Sequence, residues 1–152
     1  MKHVFTLIIC AFLMGACTTT KNVENQAAQL HKTHQNLPSI LEIEAVGKQS
    51  YQQVVIANGV AIIKNSRKGN QTKQKLSKKQ LEALTQAYQF LDVAQLNDYV
   101  SEPRFNQPEE TAIAVLKISN QGKTYISNDF DTANPPEQFK ALVACVQQII
   151  NE

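Results

Sequence analysis

Catalysis needs side chains that can move a proton, attack or hold a metal, and this 152-residue chain has only three His and three Cys. His31 and His34 stand at i, i+3 in a polar stretch, and no His follows them. A Ser-His-Asp or Cys-His nucleophile system needs an imidazole beside its nucleophile, so those classes are not expected. Two imidazoles on such a segment also fall short of a metal site, and neither metal nor cofactor is expected. Cys145 flanks an apolar stripe and reads as a semi-buried thiol. The run N-D-F-D-T-A-N from Asn128 has the Asp129-x-Asp131 spacing of a calcium loop. Ala133, however, fills the next ligand position and no Gly follows. It reads instead as a polar turn that leads into a helix cap, with both Asp near the helix N-terminus. Glu109 or Glu110 with Asp129 is the carboxylate pairing left for acid–base hydrolysis.

The cations are more patterned. Lys64, Arg67, Lys68, Lys73, Lys75, Lys78 and Lys79 fall within sixteen residues that contain no acid, while the whole chain carries only +2. A net charge that small argues against nucleic acid as a partner. Locally the cluster is either a solvated edge that discourages sheet-to-sheet pairing or a patch facing an anion. The candidate anions are an acidic envelope protein, an anionic lipid or a glycan.

The N-terminus supplies an address. Met1-Lys2-His3 is a short positive start, Val4 to Met14 is apolar except for Thr6, and Gly15-Ala16 are small. This has the form of a secretory signal and is too short to span a bilayer. L-M-G-A-C, ending at Cys17, resembles the lipobox of bacterial lipoproteins, with Met14 where Leu is usual. The resemblance implies cleavage before Cys17 and its acylation. At about 0.8 kcal/mol per buried CH₂, two or three acyl chains make attachment effectively permanent. Thr18 after the lipid site, rather than Asp, points by the same analogy to the outer membrane. Once Cys10 leaves with the signal and Cys17 is acylated, Cys145 has no thiol to pair with.

The elements that must position these residues come next. Residues 17–37 read as a lipidated Cys and tether, and 38–152 as one domain. From Ile40, apolar residues alternate with Glu42 and Glu44, the period of a half-buried strand. Tyr51 to Ala57 and Val60 to Lys64 flank Asn58-Gly59, a strong signal for a two-residue hairpin turn. Gln71 to Leu76 returns as a fourth strand. Ser77 and Gln80 have capping-box spacing, so a helix starts there with Leu81, Leu84, Tyr88 and Leu91 on its apolar face. Thr111 to Ser119 is apolar on both faces and predicts a strand covered on both sides. Asn120-Gln121-Gly122 turns it into a partner strand over Lys123 to Ser127. After Pro135-Pro136, a last helix carries Phe139, Leu142, Val143, Val146, Ile149 and Ile150 as one stripe. The fold expected is α+β, a mostly antiparallel sheet of about five or six strands with two helices on one face.

V-V-I-A-N-G-V at Val54, S-K-K-Q-L-E-A-L at Ser77, Phe90-Leu91, Tyr99, Gly122-Lys123 and P-E-Q-F-K-A-L at Pro136 carry a resemblance. From about Pro38 onward the chain is similar to a family of small bacterial envelope lipoproteins defined by a domain of unknown function. The family often has Asp-Gly where this chain has Asn58-Gly59, and the resemblance implies no activity. Together these features lead to the expectation of an outer-membrane lipoprotein with a non-enzymatic binding or inhibitor-like domain. The alternative is a carboxylate-dependent cell-wall hydrolase, which requires a concave pocket with converging carboxylates.

Overall fold

Four strands lead into the first helix: β1 (Ile40–Val46), β2 (Tyr51–Ala57), β3 (Val60–Lys64), β4 (Gln71–Lys75) and α1 (Lys78–Tyr88). A single 3-10 turn, Val93–Gln95, follows; then come β5 (Ile113–Asn120), β6 (Lys123–Ile126), β7 (Phe130–Asp131) and α2 (Glu137–Asn151). This is a computed structural model, and it describes residues 37–101 and 111–152. Cys17, the tether with its two His, Glu109 and Glu110 lie outside the described residues.

The strands pair antiparallel in the order β4-β3-β2-β1-β5-β6, and β7 pairs with β5 beyond the end of β6. Two hairpin turns set the register. Asn58 and Gly59 have φ of 50° and 73°, and Gln121 and Gly122 have 50° and 77°. Both pairs take the positive-φ conformation whose twist matches that of the flanking strands, a conformation that Asn58 and the two glycines adopt readily and that Gln121 adopts as well.

One face of the sheet is covered by the helices. Leu41, Ile43, Val54, Ile56, Leu116 and Ile118 alternate inward and are buried, and Phe139, Leu142, Val143, Val146 and Ile149 of α2 meet them. Leu81 and Leu84 complete the layer from α1. Ser77 caps α1 as its spacing predicts: its hydroxyl accepts from the Gln80 N–H, and the Gln80 carboxamide accepts from the Ser77 N–H. The Gln80 amide also donates to Glu152 at 2.7 Å, which ties the start of α1 to the end of α2.

The structure corrects three expectations. Leu91 is buried but lies past the end of α1, which stops at Tyr88. β5 is covered on one side only, since Ile113 is exposed and Val115 and Lys117 are half-buried. The Asn128–Asn134 run is not merely a polar turn, because Phe130 in its middle forms β7 and is buried against Phe139 at 5.0 Å between ring centroids.

That burial depends on a one-residue slip. β5 pairs with β6 so that Lys117 faces Ile126, but with β7 so that Ala114 faces Phe130. Three residues, Ser127 to Asp129, therefore oppose Val115 and Leu116, a β-bulge. With the β6 register continued, Ala114 would face Asp129 and the carboxylate would point inward.

Ser127 completes the ladder across the bulge. Its N–H donates to the Leu116 carbonyl at 2.9 Å, and its hydroxyl accepts from the Leu116 N–H at 3.0 Å. Asp131 organises the following loop by accepting from the Ala133 N–H. The N-cap of α2 is Pro136, with no side-chain cap bond.

Candidate functional site

Helices occupy one face of the sheet, and among the described residues no element covers the other. Cross-strand register gives the layout of that open face, because directly paired residues point the same way. One row runs Lys75, Val60, Ala57, Ile40, Ser119, Thr124; the next runs Lys73, Ile62, Val55, Glu42, Lys117, Ile126. A third runs Gln71, Lys64, Gln53, Glu44, Val115, and Tyr51, Val46 and Ile113 close the end. Ile40, Val46, Ile113 and Ile126 on this face are four of the six exposed large apolar side chains among the described residues.

The two halves of the face differ in charge. Over β1 and β5, Lys117 Nζ lies 3.3 Å from Glu42 Oε1 and 3.7 Å from Glu44 Oε2, and Gln53 donates to Glu42 at 2.8 Å. These partly exposed pairs are worth at most about 1 kcal/mol each, and two carboxylates against one ammonium leave the centre with a single net negative charge. Tyr51 extends the network. Desolvation, then the Glu44 carboxylate that accepts its hydroxyl, push its phenol above the ordinary value, while Arg67 pulls the other way. The Arg67 guanidinium sits 5.4 Å from the Tyr51 ring centroid, a cation–π contact.

Over β3 and β4 the face is basic. Lys64, Lys73 and Lys75 all point to the open side, and Arg67 adjoins them from the β3–β4 turn. Among the described residues, no carboxylate lies within ion-pairing distance of these four side chains or of Lys68. Lys68 stays in the turn, where its N–H donates to Ser66 Oγ. Lys78 and Lys79 belong to the first turn of α1 in the helical layer, and Lys78 pairs with Glu82 at 3.7 Å. The seven cations of the sequence cluster thus separate, and four of them border one surface.

Other sequence candidates resolve as scaffold. Cys145 is half-buried against the core, and burial pushes its thiol up. No three of His, Cys, Asp and Glu group as a metal site among the described residues. A cleft of about 480 Å³ lies at the end of the sheet beside α2, lined in part by Gln49, Ser50, Gln52, Asn65, Thr132 and Gln147. Tyr51 lines it as well: amides and aliphatic hydroxyls bind polar molecules, and the Tyr51 phenol, held above its ordinary value, is the one titratable group on the wall among the described residues. No carboxylate lines the cleft among the described residues.

The apolar part of the open face was the feature missed in the sequence. Its signal was present: V-V-I-A in β2 and V-A-I-I in β3 are apolar at consecutive positions, which requires apolar side chains on both faces. Compared with known proteins, the chain matches no family model, no curated protein and no solved structure.

Proposed function

We propose that this protein is a lipid-anchored lipoprotein of the bacterial cell envelope, held on the outer membrane through acylated Cys17. Its α+β domain is a non-enzymatic binding module that engages another envelope component through the open sheet face. One observation carries the reading: a seven-stranded sheet with one face against helices and the other bearing half-buried and exposed apolar side chains, edged by lysines. Exposed apolar surface on a soluble domain marks an interaction surface more often than it serves stability. The N-terminal signal and the L-M-G-A-C motif support the address.

The test is site-specific photo-cross-linking of the full chain in intact cells. A benzophenone side chain at Val55 or Ile62 on the open face is expected to give adducts. The same group at Gln86 or Gln148, exposed on the helices, is expected to give none. Adducts spread evenly over both layers would overturn the reading. The address is checked apart from this: wild-type chain should take up labelled fatty acid, and Cys17→Ser should abolish that uptake.

A further inference from the structure

The asymmetry of the open face identifies what it meets. We propose that the β3–β4 half docks flat on an anionic phospholipid leaflet, with Lys64, Arg67, Lys73 and Lys75 on the phosphates and Val60 and Ile62 between them. This rests on the anchored-module reading above and names the partner of that surface. Charge complementarity is the first argument: these four cations lack ion-pair partners among the described residues, whereas Lys117 on the same face has two carboxylates.

The second argument is position. Ile40, the first residue of β1, lies on this face in the row that ends at Lys75. Only 22 residues separate it from Cys17. Even fully extended they span no more than about 75 Å, so an acylated chain keeps this face close to the leaflet. Tethering raises the effective concentration of the face at the membrane, and weak contacts then suffice. Lysines suit the task because their stems lie along apolar surface while the ammonium reaches the phosphate. Each engaged cation is worth about a fivefold gain in membrane partitioning.

The experiment uses the mature full-length chain, its acylation read by intact mass, reconstituted in phosphatidylcholine vesicles with or without a minority of phosphatidylglycerol. Hydrogen exchange of residues 64–75 is expected to slow on the anionic vesicles only, and to recover as salt screens the charges. Lys64, Lys73 and Lys75 changed together to Gln should lose the slowing at unchanged melting temperature, and the matching Arg variant should keep it. Exchange that is equal on neutral and anionic vesicles would overturn the proposal. So would slowing by added oligoglutamate with none from anionic vesicles, which would assign the face to an acidic polypeptide instead. A mass without acyl chains would reject the anchor alone. Co-sedimentation of that chain with the two vesicle types would then decide the docking, by binding to the anionic set or to neither preferentially.

Discussion

Ser127 is the one polar residue buried as a whole among the described residues, and it stands where β5 changes partners. Its hydroxyl accepts from the Leu116 N–H and donates to the Asn128 carbonyl, so both of these backbone groups keep a partner where the bulge breaks the ladder. Ser127→Ala should therefore cost about 1–3 kcal/mol, the penalty for a buried N–H left unsatisfied, and chemical denaturation measures it. A loss below a few tenths would mean that the bulge finds its bonds elsewhere. The neighbouring Asp129-x-Asp131 run reads in the sequence as a polar turn, whereas it also lets Phe130 reach the core while Asp131 holds a loop. Cys145 gives a second residue-scale expectation. Burial raises its pKa, so at mildly alkaline pH the native chain should present less thiolate there than the unfolded chain. Alkylation of the Cys145 peptide, followed by mass spectrometry with and without urea, should be slower in the native protein. Equal rates would show that the thiol is open to solvent.

At the scale of elements, most of the fold was legible because local chemistry and long-range pattern agree. Asn58-Gly59 specifies positive φ, Ser77 with Gln80 specifies a helix start, and the α2 stripe specifies a buried face. Removing the cap by Ser77→Ala should cost about 1 kcal/mol, and a calorimetric melt will register it as a lowered Tm. Leu142→Ala should cost about 2–5 kcal/mol because Leu142 is fully buried at the centre of α2. Gln148→Ala, on the exposed side of the same helix, should stay within about 0.5 kcal/mol. Equal effects would place the wrong face inward. What the pattern did not show has a common cause. β7 is two residues long, too short for a period to emerge, and its inward Phe130 depends on a register shift that only the pairing with β5 reveals. β5 reads as covered on both sides since a strand that is apolar throughout has the same pattern whether a second layer exists or not. The basic cluster was legible as a stretch of chain but not as a surface, because Lys78 and Lys79 leave with the helix while Arg67 turns back over Tyr51.

The described residues form two layers where a sheet this apolar could support three, and that difference is measurable without knowing any partner. Ile62 and Ile63 are neighbours in β3 with the same side chain, one half-buried on the open face and the other inward and buried. Ile63→Ala removes core volume and should cost about 2–5 kcal/mol. Ile62→Ala removes side-chain surface that is only partly withdrawn from water, and should cost about 1 kcal/mol or less. The pair is a ruler for the open side, since strand propensity and backbone are the same for both. A second copy seated on the open face in solution would make Ile62 as costly as Ile63, and Tm would then rise with protein concentration, because association stabilises by mass action. A small Ile62 effect, with Tm independent of concentration, leaves the face bare in the free protein. Its apolar strip and unpaired lysines are then available to a partner, and Ile62→Ala should weaken attachment to that partner more than it weakens the fold.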